Sequence, residues 1–174
     1  DSDHLFLVMD FVGGGDLFTL LEQKQRFPET WVRVYSAEIV LALEHVHEAG
    51  IIFRDLKPEN LLLTDTGYLK LIDMGFAKRL GKGEKTYTLC GTPEYTAPEV
   101  LRGTGHGKEA DLWAVGVLLL ELLAGYPAFC ADEPIKIYGL VLNASPSVPK
   151  SFLLQRRLCG CTVDGLCESR WTWC

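Results

Sequence analysis

Apolar residues recur at helical spacing along much of this chain. Residues 31–47 carry them three and four positions apart, which predicts one amphipathic helix. Its apolar positions are Val32, Tyr35, Ile39, Leu43 and Val46. A Pro-Glu-Thr start precedes this helix and Gly50 suits the position just past its end. Residues 108–124 are apolar nearly all round, so we expect a second helix buried at the centre of its domain.

Shorter elements surround these two helices. Leu5 to Met9 is a strand-like apolar run, which three glycines end at residues 13–15. Asp16 can then cap a short helix that runs through Gln23. Residues 134–143 predict a further helix. The pattern is therefore mostly helical.

Composition narrows the class of protein. The chain has 174 residues, of which 48% are hydrophobic and 23% charged, enough to bury a core as one domain. The net charge of −6 argues against a general nucleic-acid surface and allows a local acidic groove for basic substrates. The longest apolar run, Leu112 to Leu120, is too short to cross a bilayer.

The first residues and the cysteines indicate the setting. No secretory signal or initiating methionine precedes Asp1-Ser2-Asp3, so we expect the chain to begin inside a longer gene product. Cysteines crowd the last stretch without the paired Cys-x-x-Cys spacing of zinc sites. Reduced thiols in the cytoplasm are therefore the expected state.

One loop carries the residue types that phosphoryl transfer needs. Asp55 can accept the proton of an attacking hydroxyl, and Lys57 can neutralise charge on the moving phosphoryl group. Asn60 can offer a carbonyl oxygen to Mg²⁺, and Pro58 keeps the segment out of a helix. The segment from Phe53 to Asn60 is therefore a candidate catalytic loop.

A second acid completes a candidate metal site. Residues 61–63 and 68–72 flank a turn that contains Gly67, which predicts a hairpin that folds Asp73 back beside Asn60. Carboxylate and amide oxygens are the ligands that Mg²⁺ prefers. Any lone acid of this kind is most simply a solvated loop carboxylate, but the joint spacing favours a catalytic role. With this hairpin, the predicted fold class is mainly α with a small β-hairpin.

These motifs together resemble one family. The catalytic loop, Asp73-Met74-Gly75 and Ala97-Pro98-Glu99 stand in the order found in protein kinases. Residues 88–95, Thr-Leu-Cys-Gly-Thr-Pro-Glu-Tyr, are similar to a signature of the AGC group of serine/threonine kinases. The activation segment at residues 80–88 is most similar to that of cyclic-nucleotide-dependent kinases, and its length favours the cGMP-dependent branch. The chain thus resembles the hinge and C-terminal lobe of such a kinase over residues 1–152, with an irregular or truncated end at 153–174.

The resemblance implies ATP and Mg²⁺ as cofactors. Backbone groups of Asp10 and Val12 would bond the adenine, and Leu62 would form the floor beneath it. Asp16 would reach the ribose or a substrate arginine. The glycine-rich phosphate loop of the family and its strand lysine do not occur in these 174 residues, which therefore carry half of an ATP site.

The resemblance also implies supporting and regulatory roles. Thr92 would brace the catalytic acid and lysine, and it favours serine or threonine as the acceptor. Thr88 would be the activating phosphosite, because a phosphate can pair with Arg54 and Lys78 and order the loop. Asp111 would hold the catalytic-loop backbone from the buried helix.

An acidic set implies the class of substrate. Four carboxylates would form a groove: Asp16, Glu59, Glu94 and Glu121. Carboxylates pair bidentately with arginine, so protein substrates with basic residues near the target Ser or Thr are implied. We expect no nucleic-acid partner and no membrane span, and the sequence leaves the oligomeric state open.

Several positions depart from the family. Phe53 and Met74 replace its usual Tyr or His and its usual Phe while keeping apolar bulk. Thr96 puts a polar group where the pocket for the residue after the target is usually apolar. Arg170, in the irregular end, would be the buried partner of Glu99.

Two functions of different classes remain open at this point. The first is a serine/threonine protein kinase that transfers the γ-phosphate of ATP, with this chain as part of its catalytic domain. The second is a catalytically inactive, truncated kinase lobe that acts as a binding or regulatory module. A glycine-rich strand pair and a strand lysine upstream would favour the first.

Overall fold

The computed structural model describes residues 3–4, 6 and 8–147. Within them the chain forms five α-helices and four short strands: α1 (Leu17–Lys24), α2 (Glu29–Glu48), β1 (Ile51–Ile52), β2 (Leu61–Leu63), β3 (Leu69–Leu71), β4 (Lys78–Arg79), α3 (Pro98–Arg102), α4 (Glu109–Ala124) and α5 (Pro134–Leu142). Two 3₁₀ turns lie at Pro58–Asn60 and Pro93–Tyr95. The mainly α architecture with small antiparallel sheets agrees with the prediction. The boundary expected at residue 152 and the segment 153–174 lie outside the described residues.

The helices begin and end where their sequence signals stand. Asp16 caps α1, with its Oδ1 accepting a hydrogen bond from the Thr19 backbone N–H at 2.7 Å. Gly50 follows α2 with φ +71°, the left-handed conformation that ends helices. Gly125 ends α4 in the same way, with φ +85°.

Two antiparallel strand pairs flank the candidate catalytic loop. The predicted hairpin is present, with Leu61 opposite Leu71 and Leu63 opposite Leu69. A second pair joins β1 to β4, with Ile51 opposite Arg79. The loop between Ile52 and Leu61 is therefore fixed at both ends by β pairing.

The main core lies between α1, α2, α4 and the candidate catalytic loop. Its fully buried side chains include Leu17, Ile39, Phe53 and Leu118. A second cluster packs α4 against α5 through Val117, Ile137 and Val141. Because Phe53 belongs to the main core, the catalytic loop is packed from beneath by both long helices.

The helix α4 supplies buried side chains to both core clusters, as predicted for a central helix, and its Leu112 is 55% exposed. The predicted strand is corrected. Residues 8–10 form no strand, while Leu5 and Leu7 lie outside the described residues. A strand needs a pairing partner, and residues 8–10 pair with no strand in the part of the chain that the structure describes.

A search of the described helices finds none long and apolar enough to cross a membrane. Cys90 and Cys130 are free thiols, and the other cysteines lie outside the described part of the chain.

Candidate active site

Asp55 lies at the centre of a hydrogen-bonded cluster. The residue is 5% exposed, and its Oδ1 accepts a hydrogen bond from the Thr92 hydroxyl at 2.7 Å. Its Oδ2 accepts from the Asn60 amide nitrogen at 3.1 Å and lies 3.4 Å from Lys57 Nζ. Both carboxylate oxygens are therefore oriented by side chains from the catalytic loop and from the segment around residue 92.

Thr92 links the acid to the lysine. Lys57 Nζ donates to Thr92 Oγ1 at 3.3 Å, while the same hydroxyl donates to Asp55. Gly91 makes this approach possible: it has φ +97°, and a Cβ added to it would lie 2.5 Å from the Arg54 carbonyl oxygen. A side chain at residue 91 would push the two segments apart.

Asn60 and Asp73 are brought together by the hairpin. Ile72 N donates to the Asn60 carbonyl oxygen at 2.9 Å, which sets the residue before Asp73 against Asn60. The Asn60 amide nitrogen also donates to the Asp55 carbonyl oxygen at 2.8 Å, so its own side-chain oxygen is left to accept or to bind a cation. Asp73 Oδ1 accepts from Gly75 N at 2.9 Å, and Asp73 is exposed. An amide oxygen and an exposed carboxylate are the hard oxygen ligands that suit Mg²⁺.

Asp111 anchors the backbone that precedes the catalytic acid. Its Oδ2 accepts from Phe53 N at 2.9 Å, and its Oδ1 accepts from Arg54 N at 2.8 Å. Arg54 has φ +71°, which is uncommon outside glycine and needs such support. His47 Nε2 lies 2.7 Å from Asp111 Oδ2. The first turn of α4 thus fixes the chain just before Asp55.

Two cations are the predicted partners of a phosphate on Thr88, namely Lys78 and Arg54. Lys78 Nζ donates to the Thr86 hydroxyl at 3.0 Å, and Thr86 Oγ1 lies 3.5 Å from Thr88 Oγ1. Arg54 Nε donates to the Phe76 carbonyl oxygen at 2.6 Å, whereas its Nη1 is buried without a hydrogen-bond partner among the described residues. A guanidinium N–H without a partner can donate a hydrogen bond to an anion.

Three of the four predicted groove acids lie near one another. Glu121 is buried and accepts a hydrogen bond from the Tyr95 hydroxyl. Burial raises the pKa of Glu121, and the neighbouring charges of Glu59 and Glu94 raise it further against the opposing effect of the Tyr95 bond. The pKa of Tyr95 is also raised, first by burial and then by Glu121. The prediction that Glu121 lines an open groove is therefore corrected, because its carboxylate is buried beneath the surface.

Asp16 lies at the start of α1, the helix that packs against the 3₁₀ turn carrying Glu59. It caps α1, and its two oxygens accept hydrogen bonds from the Thr19 backbone and hydroxyl. Burial alone would raise the pKa of Asp16, but these hydrogen bonds hold it below its ordinary value. A β-bridge joins Asp16 to Leu62, so the predicted ribose and adenine residues are neighbours.

Four predicted residues remain: Asp10, Val12, Glu99 and Thr96. Asp10 is exposed and Val12 is half-buried, in irregular chain. The Glu99 side chain shows no ion pair among the described residues, and its expected partner Arg170 lies outside them. Thr96 is buried, and its hydroxyl donates to the Thr92 carbonyl oxygen at 2.9 Å, so its polar group is satisfied internally.

Sequence reasoning missed two partners, His47 and Tyr95. Both bind a carboxylate on α4 that lies far away in sequence. The available signal was the presence of two acids, Asp111 and Glu121, in an otherwise apolar helix, since a buried acid needs donors. The sequence does not say which donors these are.

Comparisons with known proteins agree with this geometry. The protein kinase domain family matches residues 1–156. The cAMP-dependent protein kinase catalytic subunit of Dictyostelium discoideum is 47% identical over 152 residues, which cover 87% of this chain and 23% of that protein. The cAMP-dependent protein kinase type 3 of Saccharomyces cerevisiae is 49% identical over 152 residues, covering 87% of this chain and 38% of that protein.

A relative from the other cyclic-nucleotide branch is equally similar. The cGMP-dependent protein kinase, isozyme 2, of Drosophila melanogaster is 47% identical over 148 residues, which cover 85% of this chain and 16% of that protein. The identities do not separate the two branches, so the preference for the cGMP-dependent one stays a prediction. The chain spans well under half the length of each of these relatives. This chain belongs to the protein kinase family, within the AGC group that includes the cyclic-nucleotide-dependent kinases.

Proposed function

We propose that this chain supplies the phosphoryl-transfer centre of a serine/threonine protein kinase, as the hinge and C-terminal lobe of its catalytic domain over residues 1–152. The observation that carries the proposal is the Asp55 carboxylate, held at once by the Thr92 hydroxyl, the Asn60 amide and the Lys57 ammonium. A carboxylate oriented by three donors beside a cation suits proton acceptance during transfer to a hydroxyl.

Each member of this cluster has a chemical role in the proposal. Asp55 orients the serine or threonine hydroxyl and accepts its proton as the oxygen attacks phosphorus. Lys57 stabilises the charge that develops on the transferred phosphoryl group. Thr92 keeps the acid and the lysine in one geometry, so little reorganisation is needed as the reaction proceeds.

The proposed cofactors are ATP and Mg²⁺. Asn60 and Asp73 would hold the metal, which supplies charge neutralisation on the phosphate oxygens when bound. The backbone of Asp10 and Val12 would bond the adenine above Leu62. Asp16 already uses both carboxylate oxygens on Thr19, so reaching a ribose or a substrate arginine would require it to share those bonds.

The proposed substrates are proteins with basic residues near the acceptor. Glu59 and Glu94 lie near the buried Glu121, whose pKa is raised first by burial and further by the charges of these two carboxylates. A substrate guanidinium that pairs with Glu59 and Glu94 would relieve the repulsion among the three carboxylates. Asp16 would contribute to the same recognition from the start of α1, which packs against the turn that carries Glu59.

Thr88 is the proposed activating phosphosite. Lys78, which bonds the nearby Thr86 hydroxyl, and Arg54 Nη1, which has no hydrogen-bond partner among the described residues, would be the two cationic partners of a phosphate on Thr88. Because Arg54 directly precedes Asp55, such a pair would brace the catalytic acid.

Phosphorylation of peptides tests this function. The longest natural protein that carries this chain is incubated with ATP, Mg²⁺ and a serine peptide that has arginines upstream. Matched peptides replace the arginines with alanine or the serine with tyrosine. We expect transfer to the first peptide, at least about tenfold less to the alanine peptide, and none to the tyrosine peptide. Equal transfer to the first two peptides would contradict the proposed substrate class, and no transfer to any peptide would contradict the proposed activity.

A second candidate function has one observation in its favour. Val8, Met9 and Phe11 are exposed apolar side chains within four residues, and contiguous apolar exposure marks interaction surfaces. A binding or regulatory module without turnover would use this stretch. We expect the 174 residues alone to show no measurable transfer, and ATP-dependent labelling by the isolated chain would reject this second candidate.

A further inference from the structure

The Thr96 hydroxyl bonds the backbone of the residue that links the catalytic acid to the lysine. Thr96 is 7% exposed, and its hydroxyl donates to the Thr92 backbone carbonyl oxygen at 2.9 Å. The same carbonyl oxygen accepts the Tyr95 backbone N–H at 3.1 Å. Two donors from the following turn therefore converge on the backbone of Thr92, whose own hydroxyl contacts both Asp55 and Lys57.

The backbone of Thr92 lies outside any long helix or strand. It is extended, with φ −87° and ψ 128°, directly before the 3₁₀ turn Pro93–Tyr95. Such turns are short and their backbone hydrogen bonds are poorly aligned. On its other side stands Gly91, which has φ +97° and no side chain to pack. A side-chain bond to the Thr92 carbonyl is therefore a large part of what can hold this residue in place.

The end of the turn that carries Thr96 is firmly packed. The next residue, Ala97, is 1% exposed and belongs to a core cluster with Val100 and Ala110. The Tyr95 hydroxyl donates to Glu121 on α4. Thr96 thus connects a packed region of the fold to the segment that reaches the catalytic loop.

We propose that Thr96 is a positioning residue for phosphoryl transfer: its hydroxyl holds the Thr92 carbonyl oxygen, and so keeps the Thr92 hydroxyl between Asp55 and Lys57. This inference rests on the proposed kinase function. It assigns Thr96 no contact with the reacting atoms. A hydroxyl that merely satisfied itself in a buried place would affect stability alone, whereas a positioning hydroxyl affects the rate of the chemical step.

The test compares variants of the longest natural protein that carries this chain. Thr96→Val keeps the shape and removes the hydroxyl, while Thr96→Ser keeps the hydroxyl. Thr104→Val is the matched control, because the exposed Thr104 hydroxyl also donates to a backbone carbonyl oxygen, that of Glu99 at 3.4 Å. Each change at residue 96 is also made in Thr92→Val. The measurements are kcat for a basic serine peptide and KM for ATP.

We expect kcat of Thr96→Val to fall about tenfold, with KM for ATP within about twofold of wild type. Thr96→Ser should stay within about threefold of wild type, and Thr104→Val should match it. In Thr92→Val, adding Thr96→Val should lower kcat by less than about twofold, because the hydroxyl to be positioned is already gone. An unchanged kcat in Thr96→Val, or the same tenfold loss with and without the Thr92 hydroxyl, would overturn the proposal.

Hydrogen exchange separates this inference from the proposed function. If wild type transfers no phosphate, the proposed function fails, and the Tyr95 amide, which shares the Thr92 carbonyl oxygen, still reports on Thr96. We expect this amide to exchange about fivefold faster in Thr96→Val, while the Ile39 amide in α2 is unchanged. Unchanged exchange at Tyr95 would contradict the positioning role.

NMR of the wild-type protein decides the case in which Thr96→Val does not fold. A Thr96 hydroxyl proton that is protected from exchange with solvent is expected, because the bond to Thr92 holds it in a buried place. A hydroxyl proton in free exchange with solvent would overturn the proposal.

Discussion

The catalytic loop and the stretch at residues 8–12 lie in one chain but are held in different ways. The loop is packed from below by Phe53, which is 0% exposed, and Asp55 is bound by side chains from two segments. In residues 8–12, Met9 is 81% and Phe11 is 93% exposed. The next backbone bonds to the body of the fold are those of Gly14 and Gly15 with Leu63.

A kinase needs both an oriented catalytic acid and a bound nucleotide, and this chain supports the two to different degrees. The acid that receives a proton is oriented by contacts within this chain. The predicted adenine-binding backbone of Asp10 and Val12 has no comparable support among the described residues. We infer that the reaction centre forms within this chain, whereas nucleotide binding depends on a further surface against residues 8–12.

The largest expected contrast in stability compares two phenylalanines. Phe53→Ala should lower the free energy of unfolding by about 3–5 kcal/mol, because it leaves a cavity in the main core. Phe11→Ala should change it by less than about 0.5 kcal/mol, since the side chain is already in solvent. Urea denaturation of the two variants measures both values. Similar losses would show that residues 8–12 are packed as firmly as the loop.

Thr92 offers the sharpest test of how the acid is oriented. Thr92→Val keeps the shape and removes the hydroxyl that links Asp55 to Lys57, so we expect kcat to fall about hundredfold. Thr92→Ser keeps the hydroxyl and should stay within about threefold of wild type. Steady-state kinetics with a serine peptide checks both variants. A Thr92→Val enzyme as active as Thr92→Ser would exclude the bridging role.

Gly83 and Gly91 both have positive φ, but only Gly91 lies close to another segment of the chain, so comparing them tests the close approach of residues 91 and 54. Gly83 has φ +77° and nothing within 4 Å of an added Cβ, so Gly83→Ala should lower stability by about 1–2 kcal/mol through strain alone. Gly91→Ala adds a clash with the Arg54 carbonyl oxygen and should lower it by about twice as much. Thermal unfolding of both variants measures the difference, and equal losses would mean that residues 91 and 54 need no close approach.

The smallest expected effect concerns the pH dependence at Glu121. Its pKa is raised by burial and by Glu59 and Glu94, so the folded state binds this proton more tightly than the unfolded chain does. Stability should therefore fall as pH rises from the ordinary glutamate pKa through the raised one. Glu121→Gln, which can still accept from Tyr95, should remove this fall. Free energies of unfolding between pH 4 and 8 measure it, and an identical pH slope in the variant would contradict the assignment.

The elements with strong local signals were predictable from sequence. The helix α2 follows its apolar period to a glycine stop, and β2 and β3 flank a glycine turn, so both depend on neighbouring residues alone. The pairing of β1 with β4 was not predictable, because each strand has two residues and they lie far apart in sequence. The five-residue helix α3 is likewise too short to show a period.

The site shows the same division between local and distant contacts. The spacing of Asp55, Lys57 and Asn60 lies within one loop and can be read directly. The contact of His47 with Asp111 depends on how α2 packs against α4, so no pattern within α2 alone indicates it. Glu121 was expected to line a groove, but its neighbours on α4 are core residues and they bury it.

Replacement of Asp55 and Asp73 tests whether these two acids form the reaction centre. Phosphate transfer from ATP to an arginine-rich serine peptide is measured for wild type, Asp55→Asn and Asp73→Asn, with Asp65→Asn as a control on an exposed acid in the hairpin turn. We predict that Asp55→Asn and Asp73→Asn each lose about 1,000-fold or more in kcat, whereas Asp65→Asn keeps wild-type turnover. Unchanged turnover in either Asp55→Asn or Asp73→Asn would contradict the proposed reaction centre.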